Sequence, residues 1–338
     1  MTIMFTSGFL SRNVVREVRL ADLTTVRIGG PATLVSLESR QDLAEAMDRP
    51  HRWLGKGANL LVGDAGVSEA VLKLGKTFAG IELGAQQAGR TRVRAGAAAE
   101  LAELVSLCVK AGLAGPEGLA GVPATIGGAL RMNAGTATCW LLEWVAQVEV
   151  LLPGEATPRW LDRAAIPASY RSCGLPAGTL FLGCELDLAT GEPELLRATA
   201  AQLKGRKAAS QPLAQPSFGC TFKNPSPTLP AGRLIDELGL KGQRVGGALI
   251  SPVHANFIVN PDRNATCADV VELIRRMRAK AWNDRGVVLT CEVETWHVDA
   301  CVHAHPRDLE GMNQEKAVHH GGTEARREEI QRGKGLRA

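Results

Sequence analysis

The sequence predicts an α+β protein of three folded blocks followed by a charged C-terminal extension, and three observations carry that prediction. Its 338 residues, 45% hydrophobic and 22% charged, have ordinary soluble globular composition with room for roughly two to three domains. Short β-favouring runs alternate with stretches of helical period instead of sorting into one class. Punctuation falls near residues 75 and 210, which divides the chain into 1–75, 76–210, 211–300 and a remainder, 301–338.

In the first block Ala32 to Leu37, Trp53-Leu54 and Ala70 to Leu74 read as strands around one helical stretch, Gln41 to Met47, a small β-α-β unit. In the second, Leu101, Leu104, Val105 and Cys108 follow helical spacing and Gly112 is placed as a stop. Residues 146–152 and 180–186 read as strands, and Glu194 to Ala209, opening after Pro193, as a helix closed by Gln211-Pro212. In the third block Ala231 to Gly239 and Thr266 to Arg285 read as helices, the second opening on a Thr266-x-x-Asp269 capping box and stopped by Gly286. Ala255 to Asn260 and Leu289 to Val298 read as strands. From His303 on, seven basic and six acidic residues with few apolar ones predict a solvated, disordered tail.

Several function classes are disfavoured. A net charge of +4, with Lys and Arg scattered, is no nucleic-acid footprint. No apolar run reaches the roughly 18–20 residues of a spanning helix, and the N-terminus lacks a signal layout, so a cytoplasmic protein without membrane contact is expected. The eight cysteines form no Cys-x-x-Cys pair, which argues against zinc and against a disulfide framework. His303-x-His305 and His319-His320 are read as adventitious, and no metal is expected; a monomer is.

Two glycine-rich turns invite an anionic ligand. Gly55-Lys56-Gly57-Ala58-Asn59, ahead of Leu60-Leu61-Val62, would let several backbone N–H groups face one anion, although it fits neither Gly-x-Gly-x-x-Gly nor a P-loop. The stretch from Gly115 to Gly135 holds six glycines in 21 residues, a cost that a flat ligand threaded past the backbone would offset. Separately, Ser217-Phe218-Gly219-Cys220-Thr221-Phe222-Lys223-Asn224-Pro225 presents one thiol in a Gly-opened turn, closed where Asn224 precedes proline.

Thr24 to Ala32, Leu54 to Val62, the Gly121 to Gly135 loop, Tyr170-Arg171-Ser172, Gly219 to Pro225 and His254-Ala-Asn-Phe-Ile-Val-Asn260 together resemble the UDP-N-acetylenolpyruvoylglucosamine reductases, in order and spacing, over about residues 20–296. These flavoenzymes complete UDP-N-acetylmuramic acid in bacterial peptidoglycan synthesis. The resemblance implies a two-lobed FAD-binding region of the vanillyl-alcohol-oxidase-like type plus a C-terminal α+β substrate domain. It implies non-covalent FAD along Gly55, Lys56, Gly57, Ala58, Asn59 and Leu60, and along Gly121, Val122, Pro123, Ala124, Thr125, Gly127, Gly128, Asn133, Ala134 and Gly135. NADPH would reduce the flavin, and UDP-N-acetylglucosamine enolpyruvate would be the substrate.

Carried over by position, Arg171 would bind the enolpyruvyl carboxylate, Cys220 would protonate the intermediate and Glu292 would stabilise its enol form. Tyr170, Lys223 and Asn224 would contact substrate, while Arg206 and Lys207 read as helix-end charges. Chemistry suits these residue types: a guanidinium forks onto a carboxylate that gains charge in the transition state, and a thiol can hand over a proton. The sulfur donor also predicts sensitivity to alkylation.

The chain resembles the subgroup lacking the tyrosine-bearing loop. It departs from the family at Lys56 for a usual Gly, Ala58 for Ser, Thr136-Ala-Thr138 for Ala-Tyr-Gly, Cys220 for the Ser of the best-known members and Cys291 for Pro. The competing readings are a non-catalytic flavin- or nucleotide-binding module and a related FAD-dependent oxidase.

Overall fold

A computed structural model describes residues 5–136 and 139–305. The first lobe opens with α1 (Ser7–Arg12), capped by the Thr6 hydroxyl. It then builds β1 (Val14–Arg19), β2 (Pro31–Leu37), β3 (His51–Trp53), β4 (Leu60–Val62) and β5 (Ala70–Leu74), with α2 (Leu43–Met47) between β2 and β3. Sheet order is β1-β2-β5-β3, in which β2, β5 and β3 run parallel as a β-α-β unit requires. Its strands bury Leu34, Val35, Leu37, Val71 and Leu72 on both faces.

The second lobe is an antiparallel sheet, β10-β9-β11-β7-β6, from β6 (Ile81–Gln87), β7 (Arg90–Gly96), β8 (Leu113–Ala114, paired to β11), β9 (Val145–Leu151), β10 (Arg159–Asp162) and β11 (Leu180–Thr190). Helices α3 (Leu101–Lys110), α4 (Ile126–Arg131) and α5 (Pro193–Ser210) contribute to the same core. The β6–β7 hairpin is absent from the sequence reading. Its turn, Ala88-Gly89, has φ of 50° and 74°, the two positive values of a primed hairpin turn, but Ile-Glu-Leu-Gly-Ala-Gln-Gln lies exposed and shows no alternation to read.

The third unit orders β12 (Ser217–Cys220), β13 (Arg244–Val245), β14 (Ala248–Ile250) and β15 (Phe257–Val259) as β12-β15-β14-β13, all antiparallel, beside α6 (Ala231–Glu237) and α7 (Cys267–Arg285). Both halves of the Thr266/Asp269 capping box form, and Gly286 ends α7 at φ 64°. The expected strand from Leu289 to Val298 shrinks to β16 (Glu294–Trp296). Upstream of it the backbone bonds residue by residue to the segment after Cys220: Glu292 N–H to Thr221 O at 2.9 Å and Lys223 N–H to Thr290 O at 2.9 Å.

β16 then leaves its own unit and pairs parallel with β4, Glu294 opposite Leu60 and Trp296 opposite Val62. That return carries the segment bearing Glu292 to the first glycine turn. Val302, expected in the tail, is buried in the third core. Residues 306–338, with most of the expected tail and the His319-His320 pair, lie outside the described residues. No helix among the described residues is long and apolar enough to cross a membrane, and none of their His, Cys, Asp and Glu side chains group as a metal site would require.

Candidate active site

A cleft of about 1120 Å³ opens where the three units meet. That exceeds the roughly 300–1,000 Å³ of an ordinary small-molecule pocket, leaving room for more than one ligand. Arg171, Cys220 and Glu292, 121 residues apart from first to last, all line it.

Arg171 sits on a tight turn closed by reciprocal bonds between Ser169 and Ser172, at φ 57°, a left-handed conformation that costs a side-chain-bearing residue about 1–2 kcal/mol. Its Nη1 donates to Gly135 O at 3.1 Å, and its Nε lies 2.7 Å from Glu292 Oε1. This is an ion pair by distance, since the Nε–H makes no aligned hydrogen bond. The two side chains are 21% and 11% exposed, so solvent screens the pair little. Burial raises the pKa of Glu292, with Arg171 and Lys223 opposing.

Cys220 ends β12 after Gly219, whose φ of 84° explains the glycine. Burial, with a smaller push from the Glu292 carboxylate and against the pull of Arg171, raises the thiol pKa to about 12. Cys220 is therefore a protonated thiol at every physiological pH. Asn256, buried and silent in the sequence, fixes the strand beyond it: its side chain donates to Phe222 O at 2.8 Å and accepts from Phe222 N at 3.0 Å, and its carbonyl accepts from Thr221 N at 2.7 Å.

The first glycine turn brings Gly55 to Leu60 into the wall. A Cβ at Gly57 (φ 68°) would stand 2.3 Å from Leu23 O, and one at Gly55 2.9 Å from Thr125 Oγ1. Among the described residues no backbone N–H from Gly55 to Asn59 donates to a protein carbonyl, a row of free donors suited to an anion. Asn59 also clamps the acid-bearing segment: its Nδ2 donates to Glu292 O at 3.1 Å and its carbonyl accepts from Glu294 N at 3.1 Å. Lys56, an unusual residue here, pairs with Glu100 at 2.9 Å.

From the second loop Gly121, Val122, Pro123, Ala124, Thr125, Gly128, Ala134 and Gly135 line the cleft. Gly127 and Asn133 do not. Gly127 is packed on Ala97, and the Asn133 side chain, buried at φ 40°, donates to Ser169 O and accepts from Leu142 N, so it supports the Arg171 turn.

On these observations the chain can be set beside known proteins. Residues 31–159 match a model described as an FAD binding domain, and residues 211–296 the model for the UDP-N-acetylenolpyruvoylglucosamine reductase C-terminal domain. Proteins named UDP-N-acetylenolpyruvoylglucosamine reductase from Anaeromyxobacter dehalogenans and Thermus thermophilus are each 41% identical to it, across 82% and 83% of this chain and 84% and 99% of theirs. The crystal structure of UDP-N-acetylenolpyruvylglucosamine reductase (MurB) from Thermus caldophilus superposes with a TM-score of 0.75 at 38% identity, over 84% of this chain and 99% of that one. The chain belongs to the UDP-N-acetylenolpyruvoylglucosamine reductase family.

Two sequence expectations about this family's cleft need correction. Lys223 was expected beside Cys220 but lines a neighbouring hollow of about 360 Å³ that shares Arg171 and Glu292 with the main cleft. The backbone after Cys220 buries Thr221 and Phe222 and turns Lys223 to the far side, where it still lowers the Glu292 pKa. Lys207, read as a helix-end charge, lines the main cleft; its Nζ donates to Ala120 O at 3.0 Å, and burial lowers its pKa.

Tyr170 and Asn224 both line the reductase-family cleft, and Asn224 Oδ1 already accepts from Ala231 N at the start of α6. That leaves its Nδ2 as the group to offer a ligand. The wall from the third unit adds Arg233, Lys241 and Val253, which the sequence reading did not single out, and His254, which it quoted in a motif without giving it a role. Of the Thr136-Ala-Thr138 departure, Ala137 and Thr138 lie outside the described residues.

Proposed function

We propose that this chain reduces the enolpyruvyl group of UDP-N-acetylglucosamine enolpyruvate to give UDP-N-acetylmuramate, a step of peptidoglycan precursor synthesis, as a cytoplasmic, monomeric, NADPH-dependent flavoenzyme. The observation that carries this reading is the convergence of Arg171, Cys220 and Glu292 on one cleft with two glycine loops. The loops fit FAD: free N–H groups from Gly55 to Asn59 would hold its pyrophosphate, and the turn that presents them is packed so closely on the protein that a Cβ at Gly55 would meet Thr125 Oγ1 and one at Gly57 would meet Leu23 O. When bound, FAD accepts a hydride from NADPH and passes one to the alkene.

The side chains then have separable tasks. Hydride addition at one alkene carbon leaves negative charge on its neighbour and on the attached carboxylate. The Arg171 guanidinium, fixed by Gly135 O and Glu292, would meet that carboxylate and favour the charged transition state over the ground state. Cys220 would deliver the proton to the charged carbon, and its high pKa guarantees that the proton is present. Glu292, a carboxyl with a raised pKa, would hydrogen-bond the enol form of the carboxylate. Tyr170 and the Asn224 amide would contact substrate.

Purified protein should be yellow, and the enolpyruvyl nucleotide sugar should stimulate its NADPH oxidation. A protein that cannot be reconstituted with FAD, or that oxidises NADPH at the same rate with and without that sugar, overturns the proposal.

A further inference from the structure

We infer that residues 299–305 form a strap, gripped by the buried Arg278, that positions the Glu292 carboxyl against Arg171 for the reaction. This rests on the proposed function, which gives Glu292 its task, and it adds residues that act through Glu292 without touching substrate. The match to the reductase C-terminal domain ends at residue 296, so the strap lies beyond what that family model covers.

The strap is built into the third unit. Its single 3-10 turn, Ala300–Val302, closes with Val302 N–H on Asp299 O at 3.2 Å and His303 N–H on Ala300 O at 3.0 Å. Val302 is 1% exposed and shares a core with Leu289, Val293, Met277 and Ala281. Arg278, itself buried on α7, then ties three segments together: its Nε donates to Leu289 O at 3.1 Å, its Nη1 to Val302 O at 2.9 Å and its Nη2 to Ala304 O. The guanidinium is a rigid planar fork, so these bonds fix α7, the start of the acid-bearing segment and the strap relative to one another. A buried cation needs such acceptors, which makes the strap carbonyls part of its site.

The contacts bracket Glu292. Cys291 Sγ donates to Val302 O at 3.4 Å, and Thr295 Oγ1 lies 2.8 Å from His303 Nε2, so with Leu289 O the strap and Arg278 hold the segment at residues 289, 291 and 295. Asn59 and Thr221 grip the Glu292 main chain itself, whereas the strap grips the residues around it. His303 also lines the hollow of about 360 Å³ that shares Arg171 and Glu292 with the main cleft, which brings the strap to the rear of the ion pair. The pair is set at 2.7 Å, and a 1 Å misplacement of a reacting constellation costs about 10²-fold in rate. Holding the segment still is therefore a contribution to turnover as well as to the fold.

The test uses FAD-loaded full-length protein. Val302→Asp places a carboxylate where the core excludes water and should lift the strap while leaving both glycine loops in place. Amide hydrogen exchange across residues 289–295 should quicken at least roughly tenfold. Flavin content and flavin reduction by NADPH should stay near wild type, while the product-forming half-reaction slows about tenfold to a hundredfold, with kcat changing far more than KM for the sugar. Val302→Ile, which keeps the strap seated, should restore wild-type behaviour, and Arg278→Met should reproduce Val302→Asp. If neither disruptive variant retains flavin, Thr295→Val, which cuts only the His303 link, carries the test with a smaller loss in the same half-reaction. Unchanged product formation in Val302→Asp overturns the inference, whether or not exchange quickens. So does a loss shared equally by flavin content and both half-reactions, which would give the strap a stabilising role alone. Exchange is read without substrate, so wild-type protein that shows no sugar-stimulated NADPH oxidation overturns the proposed function, while unchanged exchange in Val302→Asp overturns the strap, which separates the two failures.

Discussion

Arg171 Nε and Glu292 Oε1 lie 2.7 Å apart, with the carboxylate on a segment pinned at both ends: Asn59 holds the Glu292 carbonyl and Thr221 O accepts its N–H. The cofactor turn, the strand of the thiol and the acid are thereby one connected unit. Glu292→Gln keeps the volume but removes the acid and the ion pair, and turnover should fall about 10²–10³-fold, as for loss of one group that stabilises developing negative charge. A raised carboxyl pKa keeps the protonated form to higher pH than usual, so the wild-type rate should decline as pH rises through that pKa. Glu292→Gln should lack this limb in a pH–rate profile, and a variant retaining it would assign the limb to another group.

The thiol was expected to be readily alkylated, and its surroundings say otherwise. With a pKa of about 12, Cys220 is about one part in 10⁴ thiolate at pH 8, and the thiolate is the reactive form. Iodoacetamide should therefore modify Cys220 far more slowly than an unperturbed cysteine, with a rate that climbs about tenfold per pH unit beyond pH 9. Mass spectrometry of the residue 220 peptide across pH checks this. Cys220→Ala should leave flavin reduction by NADPH near wild type while slowing product formation about 10²–10⁴-fold, measured as two half-reactions.

Much of this site was legible because its residues sit in short motifs whose backbone demands are visible in the letters. Gly57 and Gly219 stand at positive φ, and the Thr266/Asp269 cap and Gly286 stop bracket α7 where the sequence placed them. Alternation and helical period recovered β5, α3 and α5 for the same reason. What stayed hidden depends on pairings between distant segments. Nothing near Glu294 announces a parallel partner at Leu60, and nothing near Asn256 announces the Phe222 backbone. Lys207 looks like any last-turn lysine until Ala120 O and the cleft wall are placed around it, and Lys223 fell on the far side because two buried residues intervene.

Gly57 tests the cradle itself. Alanine there would need φ of 68° and would set a methyl 2.3 Å from Leu23 O, a backbone atom that cannot swing aside. The Gly57 carbonyl also accepts from Thr25 N at 3.0 Å, and the Thr25 hydroxyl donates to Ser217 O at 2.6 Å, so displacement would be passed to the thiol strand. Gly57→Ala should weaken FAD binding at least tenfold while the far-UV spectrum is retained. Flavin fluorescence on dilution reads the affinity, and wild-type retention of flavin would remove this turn from the cofactor site.

A final prediction concerns how the Glu292 segment is anchored from below. Glu69 Oε2 lies 2.7 Å from His297 Nε2, and its Oε1 accepts from Arg52 Nε and Nη2 at 3.1 and 3.0 Å, which ties the end of β16 to the first lobe. Burial alone would raise the Glu69 pKa, but His297, its own backbone and Arg52 outweigh it and bring the value down to about 2. A carboxyl depressed in the folded state stabilises fully above its unfolded pKa of about 4.3, and the contribution is lost as pH falls through the folded value. Glu69→Gln should therefore cost about 1–3 kcal/mol at neutral pH. The difference in Tm from wild type should close as pH falls from about 4.3 toward 2. A gap that stays constant with pH would mean that Glu69 acts through packing alone. Because β16 follows Glu292 by two residues, the same variant at neutral pH should also lower turnover more than it lowers flavin content, as expected if the anchor positions the acid.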